Sequence, residues 1–428
     1  MPWLAPDDVL PKAIETLVGA GTGNARICLV RDARGRIRIA VEASAVADPE
    51  ALTKTLEGAL GAWFAGPLVY QKGSPAHRRI ATELFRDLPP WPDDWPKDYE
   101  RLDGSRAPIP EWLKGRVVLN SKESWFARGS PPPSKPRVVS FFSFKGGVGR
   151  TTTLACVAAR LANRGQKVVV IDLDLEAPGL GGFLGARSTT GVLDHVLSHL
   201  ATGAIGDVNP EPVDGFPGLW VVPAAASGIG YLEKLARLDF LAGTSASEKS
   251  PTEQALRALI DAVAERVTPD LVLLDSRAGL HDIGGLALHR LSQMDVLVAR
   301  ANAQSREGLR IVLDAIRRLR AVEDRDVRLV QTMVKAPFDA PETKPLVERW
   351  RQDMYDIAIE TIYADFGDDP ELEVPELDHK TAHYPLLVAE RDELTRADRL
   401  HQVSVELLPS FDEIANVVMP TLDAESED

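Results

Sequence analysis

Val138-Val139-Ser140-Phe141-Phe142-Ser143-Phe144 runs straight into Lys145-Gly146-Gly147-Val148-Gly149-Arg150-Thr151-Thr152-Thr153, and an apolar helical run follows. The first part reads as a buried strand and the second as a glycine-rich turn that opens a helix. Such a turn lets backbone N–H groups curl round an anion, and the helix N-terminus adds unpaired donors and the positive end of its dipole. A basic side chain and a threonine hydroxyl follow directly, as phosphate chemistry with a magnesium ion requires. The stretch therefore predicts a nucleotide-phosphate site. The bland alternative is a plain strand-to-helix corner, and the order of strand, loop and helix weighs against it.

Outward from this junction the chain alternates. Lys167-Val-Val-Val-Ile-Asp172-Leu-Asp174 is almost continuously apolar until its end, as in a strand buried on both faces of a parallel sheet. Further strands are expected at Leu219–Pro223, Leu271–Asp275, Asp295–Ala299 and Val327–Val334. Helical spacing falls at Thr252–Arg266, Asp282–Leu291 and Ser305–Arg320. This is the pattern of an α/β, doubly wound, mostly parallel sheet. Past Pro337 the pattern weakens. Asp365–Asp378 reads as an acidic loop, Glu390–Leu408 and Pro409–Val418 as closing helices, and residues 421–428 as an acidic tail.

Residues 1–128 are expected to form a smaller N-terminal α/β domain of unknown role. Asp7–Gly19 reads as a helix, and Arg26–Ala43 as a hairpin around Asp32–Gly35. Leu52, Leu56, Leu60 and Trp63 recur at helical spacing. Pro67–Tyr70 and Arg116–Asn120 are strand candidates, Ser74–Asp87 is a helix candidate, and Leu88–Pro96 is rich in proline and tryptophan. Six of the eight tryptophans precede residue 130, which points to a separate core and, as the competing reading, to a partner-binding face. Gly129–Pro136 carries consecutive prolines and reads as a stiff spacer, so the second domain is expected over 137–420.

Composition narrows the classes. Hydrophobic residues make up 44% and charged residues 26% of 428, an ordinary balance for a globular chain of two or three domains. No apolar stretch approaches a membrane span, and Asp7 and Asp8 interrupt any signal-peptide pattern. With only Cys28 and Cys156, no disulfide framework is implied, and a reducing cytoplasm is expected. The net charge of −14 argues against a generally nucleic-acid-binding surface but allows a local basic face.

The run Lys145-Gly-Gly-Val-Gly-Arg150-Thr151 resembles the deviant Walker A loop, Lys-Gly-Gly-x-Gly-Lys-Thr, of the MinD/ParA group of P-loop ATPases. Lys145 matches the signature lysine. Arg150 stands where the second lysine is usual, as in the arginine-variant branch of the group. The resemblance extends over Arg137 to Pro420 and implies ATP and Mg²⁺ as ligands. It implies that the backbone of Gly146, Gly147, Val148 and Gly149, with Arg150, Thr151 and Thr152, binds phosphates. Thr151 and Asp275, the latter in the Walker B position, would hold magnesium, and Asp172 would support its shell. Asp174 would orient the attacking water, and Lys145 would reach in trans across a nucleotide-dependent homodimer. Asp275-Ser-Arg277-Ala-Gly279 resembles the group's switch turn. Lys335 and Pro337, in Thr332–Pro337, would flank the base.

Each assignment has a plainer alternative: a helix cap for Asp172 or Asp174, a rim charge for Lys145. Arginine is larger, planar and forked, so Arg150 can either grip two phosphate oxygens or crowd the loop and slow the chemistry. Two function classes follow. One is a Mg²⁺-dependent ATP-binding and hydrolysing switch that works by ATP-sandwich dimerisation. The other is a nucleotide-sensing binding module with little turnover, which recruits an unidentified protein partner through its N-terminal domain. Arg306, Arg310, Arg317, Arg318 and Arg320 suggest weak non-specific DNA binding, against a favoured reading as a solvated face. The acidic tail argues against membrane attachment. His281, His289 and His383 are isolated and read as structural, and Ser276 lacks the context of a nucleophile.

Overall fold

The computed structural model describes residues 9–20, 27–31, 36–41, 48–66, 69–70, 98–100, 106–108, 117–119, 136–188, 190–224, 229–242, 251–279, 285, 287–319, 326–364, 366 and 384–420. The expected helix at Ser74–Asp87, the segment Leu88–Pro96, the acidic loop (save Phe366) and the acidic tail lie outside these residues. The chain divides into two compact units, Met1–Ser121 and Lys122–Asp428.

In the first unit, α1 (Val9–Gly19) and α2 (Pro49–Leu60) accompany a sheet. The hairpin forms as its alternation requires: β1 (Ile27–Arg31) pairs antiparallel with β2 (Ile37–Val41). Short strands β3 (Val69–Tyr70) and β6 (Val117–Leu119) extend it in the order β3-β2-β1-β6, and β4 (Asp98–Glu100) pairs separately with β5 (Arg106–Pro108). Asp48 caps α2, accepting from the N–H groups of Glu50 and Ala51 at 3.1 and 3.0 Å, and Pro49 opens it. Ile14, Leu17, Leu29, Ile37, Ile39, Leu52 and Leu56 are buried. Among the tryptophans of this unit only Trp63 is described, and it is half-buried.

The second unit is the doubly wound domain. Its strands are β7 (Arg137–Phe142), β8 (Val168–Asp172), β9 (Glu211–Pro212), β10 (Leu219–Val222), β11 (Leu271–Asp275), β12 (Met294–Ala299), β13 (Val327–Val334) and β14 (Leu386–Ala389). They lie in the order β14-β13-β12-β7-β11-β8-β10-β9, and only the β9–β10 edge pair is antiparallel. The helices are α3 (Arg150–Asn163), α4 (Val192–Thr202), α5 (Ile229–Ala242), α6 (Pro251–Val267), α7 (Ala303–Leu319), α8 (Lys344–Glu360) and α9 (Asp412–Val418), with shorter turns between.

Strand alternation decides which helix covers which face. Val139, Phe141, Val168, Val170, Leu271 and Leu273 pack against α3 and α9. Val138, Val169, Ile171, Val272 and Leu274 point the other way, onto α4 and α6. Phe142, Leu297 and Leu329 meet α7 and α8. Because both faces are buried, the central strands need unbroken apolar runs, which is how they read in sequence.

The C-terminal third departs from expectation. Val347, Trp350, Met354, Ile357 and Ala358 make the buried face of the 17-residue α8, where the pattern had read as weak. Glu390–Leu408 is not one helix. It is a five-residue helix, Asp392–Arg396, followed by tight turns at Leu400–Gln402 and Val405–Phe411, the second containing Pro409. The expected helix at Asp282–Leu291 is a π-helical turn at Ala287–Leu291, and residues 280–284 and 286 lie outside the description. Among the described residues no helix is long and apolar enough to cross a membrane.

Asp412 ties α9 to α3. It accepts from Arg160 Nε at 2.5 Å and Nη2 at 3.0 Å, and from Arg164 Nη2 at 2.6 Å. The Arg160 hydrogen bond, with both guanidinium charges, holds this carboxyl below the usual aspartate range. A depressed folded pKa contributes stability above the unfolded value, near pH 4, and that contribution vanishes as pH falls through the folded value. Asp412→Asn should therefore lower the melting temperature by about 1–3 °C at neutral pH, with the gap to the parent closing below pH ~4. Calorimetric melts from pH 3 to 7 check this; a gap independent of pH contradicts it.

Candidate functional site

The site forms at the carboxyl ends of β7, β11 and β8, where a doubly wound sheet opens a crevice. The register brings Asp275 beside Phe141 on one side and Asp172 on the other. Backbone pairing continues past the strand ends. Leu173 N–H donates to the Asp275 carbonyl, Ser276 N–H to Phe141, and Gly279 N–H to Ser143, each at 3.0 Å. The glycine-rich loop, the segment after β8 and the turn after β11 therefore share one rim.

In the loop, Gly147 and Gly149 adopt φ of 73° and 80°, the left-handed region that glycine enters without strain. Gly149 caps α3, and the first intrahelical bond runs from Thr153 N–H to Gly149 O. The N–H groups of Arg150, Thr151 and Thr152 thus open the helix without acceptors inside it. Lys145, Gly146 and Gly147 are exposed, whereas Val148 is buried and its carbonyl accepts from Thr332 Oγ1 at 2.6 Å. Sequence reasoning missed Thr332 as an anchor, since a threonine in a strand carries no signal until the strand is placed.

The acids meet beneath the loop. Asp275 is 1% exposed; its Oδ2 accepts from Thr151 Oγ1 at 2.7 Å and its Oδ1 from Arg150 Nε at 2.6 Å. Arg150, 7% exposed, also donates through Nη2 to Asp174 Oδ2 at 3.0 Å and to Thr151 Oγ1 at 3.3 Å. Asp174 Oδ1 accepts from Ala177 N–H. Asp172 is engaged by backbone: Oδ1 accepts from Asp174 N–H and Oδ2 from Leu180 N–H, both at 3.1 Å. It therefore fixes the loop that presents Asp174. Arg277 pairs with Glu176, linking the turn after β11 to that same loop.

Charge in this cluster is short of balance. Burial, reinforced by the charge of Asp275, pushes the Asp172 carboxyl up to about 8. Burial also raises Asp275, against the opposing pull of Arg150 and Thr151. Burial works against the Arg150 charge, but the two carboxylates outweigh it and hold the guanidinium above its ordinary value. The carboxylates of Asp275 and Asp174, the Asp172 carboxyl behind them and the Thr151 hydroxyl are hard oxygen donors of the kind that magnesium prefers. Among the described residues no three acidic, histidine or cysteine side chains converge as a self-sufficient metal cage.

Both basic side chains of the loop have partners within the chain. Arg150 faces the protein's own carboxylates, because buried acids take up the nearest cation. Lys145 donates through Nζ to Gln304 Oε1, at the start of α7 of its own chain. Lys335 and Pro337 are exposed just past β13, and Thr332 of that strand holds the loop through Val148. The arginines of α7 are paired within the fold: Arg306 with Asp353 at 3.0 Å, Arg310 with Glu360, and Arg317 with Asp314 at 2.9 Å. Arg320 and the side chain of Arg318 lie outside the described residues.

An AAA domain family model matches residues 136–329. The chromosome-partitioning ATPase Soj of Thermus thermophilus is 31% identical over 203 residues, covering 47% of this chain and 70% of Soj. An uncharacterized ATP-binding protein of Methanocaldococcus jannaschii is 30% identical over 166 residues, 39% of this chain and 53% of that protein. Among solved structures, the Pyrococcus furiosus cell division ATPase MinD is 17% identical, with a TM-score of 0.44 and coverage of 66% of this chain and 98% of its own.

The loop's entry rests on α7 by a second contact. A methyl group placed on Gly308 would lie 2.0 Å from Phe144 Cγ and 2.6 Å from its Cβ, so only glycine admits this ring. Gly308→Ala must push Phe144 out, and with it the first residue of the loop. An overpacking cost of about 1–3 kcal/mol is expected, together with weakened nucleotide affinity. Denaturant melts and calorimetry check both; unchanged stability and affinity contradict the packing role.

Proposed function

This chain belongs to the MinD/ParA family of P-loop ATPases, and on that premise we propose that it is a Mg²⁺-dependent ATP-binding and hydrolysing switch. The observation that carries the reading is the convergence of Thr151, Asp275 and Asp174 on Arg150, beneath a glycine loop whose first helical N–H groups have no acceptor inside the helix. In this reading the backbone of Gly146 to Gly149, with Thr152, binds the phosphates of ATP. Thr151 and Asp275 would hold magnesium, with Asp172 behind them. A bound magnesium ion would offset charge on the β- and γ-phosphates. Asp174 orients water towards the γ-phosphate by accepting its hydrogen bond, and Ala177 N–H keeps that carboxylate in place. Lys335 and Pro337 are assigned to the base, and residues 137–420 to the ATPase domain.

A second reading has its own support. Arg150 occupies Asp174, the group that would position water. A chain whose arginine stays there binds nucleotide and turns it over slowly, as a sensor that recruits a partner through its N-terminal unit. The paired arginines of α7 support the solvated-face reading over DNA binding.

Calorimetry should find ATP binding in the presence of Mg²⁺. Asp174→Ala should keep that affinity within about tenfold, ~1.4 kcal/mol, while phosphate release falls by about 100-fold or more. Absence of ATP binding to the folded parent overturns the function; a parent that binds but does not release phosphate selects the sensor reading.

The dimer is the second test. Lys145 is exposed at the loop's start, where its charge is useful to a nucleotide carried by another subunit. A fixed positive charge delivered there offsets negative charge that builds in phosphoryl transfer. The protein is expected to sediment as a monomer or loose dimer with ADP and as a tighter dimer with a non-hydrolysable ATP analogue. Lys145→Ala should abolish that difference. Equal masses in both nucleotide states, or an unaltered ATP-dependent dimer in the variant, contradict the sandwich mechanism.

A further inference from the structure

Arg150 does more in this structure than line a phosphate loop. Its guanidinium touches Asp275, Asp174 and the Thr151 hydroxyl at once. Two of these three, Thr151 and Asp275, are the groups assigned to magnesium. Both oxygens of Asp275 are already engaged, one by Arg150 and one by Thr151. Arg150 Nε lies 2.6 Å from Asp275 Oδ1 and Nη2 lies 3.3 Å from Thr151 Oγ1, so the guanidinium fills the space beside both groups and its charge repels a divalent ion there.

We infer that Arg150 is a resident counter-cation: guanidinium and divalent metal are mutually exclusive occupants of Asp275 and Thr151, and the metal enters only when nucleotide phosphates draw Arg150 away. This rests on the metal assignment made above and adds a binding order to it. Three features of the chain carry it. The position next to Gly149 is the first residue of α3, so the side chain leaves a fixed point close to the acids. Arginine's planar fork reaches Asp275 through Nε and Asp174 with Thr151 through Nη2, a three-way contact that the single ammonium of lysine cannot span in one plane. The acids are buried, so removing the guanidinium without a replacement leaves uncompensated charge. Phosphate oxygens attract both displaced partners, the guanidinium through its fork and the metal through its charge.

The consequence is a chain that ignores divalent metal until nucleotide arrives. The test uses full-length, nucleotide-free protein, with MgCl2 or MnCl2 as the only probe and ionic strength held constant with KCl. The parent is expected to show no change in melting temperature and no Mn²⁺ binding by electron paramagnetic resonance. Arg150→Gln removes the charge and part of the fork. It should melt about 5 °C or more below the parent in the absence of divalent metal. Arg150→Lys should fall between the two.

Metal binding to the nucleotide-free parent overturns the inference, as does an Arg150 Nε–H resonance that MgCl2 with a non-hydrolysable ATP analogue leaves unmoved. Should the glutamine variant not fold, a second readout remains in the parent. The protected Arg150 Nε–H resonance, identified by its loss in Arg150→Lys, should be unmoved by MgCl2 alone. It should shift when MgCl2 is added with a non-hydrolysable ATP analogue; a shift with MgCl2 alone overturns the inference. A parent that binds no nucleotide in calorimetry fails the functional reading, while the metal titrations on nucleotide-free protein still decide this one.

Discussion

Everything at the rim of the large sheet answers to one constraint: acids buried at the ends of adjacent strands must be given hydrogen-bond donors, and must be neutralised by a proton or a cation. Asp275 and Asp172 are each 1% exposed and stand side by side in the β11–β8 register. An isolated buried carboxylate costs several kcal/mol, far more than a surface ion pair returns. The fold meets that cost in two ways. Asp172 takes backbone donors from Asp174 and Leu180, and Asp275 takes Arg150 and Thr151. The first arrangement shapes a loop; the second leaves a cation that ligand chemistry is able to replace.

Parallel topology makes this arrangement nearly unavoidable. In a parallel sheet all carboxyl ends fall on one edge, and the helices that follow begin there. β7 sits between β11 and β12, so the loop that leaves it has Asp275 on one flank and reaches β13 through Thr332 and Val148 on the other. The faces carry the energy. Alternate residues of β7, β8 and β11 are buried against α3 on one side and α4 and α6 on the other. A one-residue slip of β11 would move Asp275 out of line with Asp172 and turn Leu271 and Leu273 to the wrong helices.

The sheet and its loop were legible because their signals are local. Continuous apolar runs ending in Asp172 and Asp275, and the run of glycines before Arg150, announce buried parallel strands and a tight turn that opens a helix without reference to anything distant. Helix α8 was equally local, since Val347, Trp350, Met354 and Ile357 keep helical spacing; its charged residues and the acidic stretch beyond it diluted the pattern. The contacts that give the site its character were not legible. Phe144 fits against Gly308 and Lys145 bonds Gln304, 159 residues away, because α7 happens to pack there. The partners of Arg150 lie 24 and 125 residues on, so the sequence could only pose a choice between phosphate and protein oxygens. The short turns after Asp392 were misread because a glutamine side chain, that of Gln402, supplies acceptors to Asp398 and Arg399 where a helix would have used carbonyls.

Both basic side chains of the loop are thus held by their own chain, but by different chemistry. Lys145 is exposed and bonded to a neutral amide, a contact worth about 1 kcal/mol net, and it is free to exchange for any stronger acceptor. Arg150 is buried between two carboxylates and gives them up only in exchange for comparable charge. An anion arriving at the loop meets these two cations in that order of availability: Lys145 responds to proximity alone, Arg150 to an anion that brings its own counter-cation. The asymmetry is a property of arginine at position 150. A lysine there would be a compact, strongly hydrated charge with no planar fork to bind Asp275, Asp174 and Thr151 together. With arginine at position 150, the cation that follows the glycines is held on the acids beneath the loop.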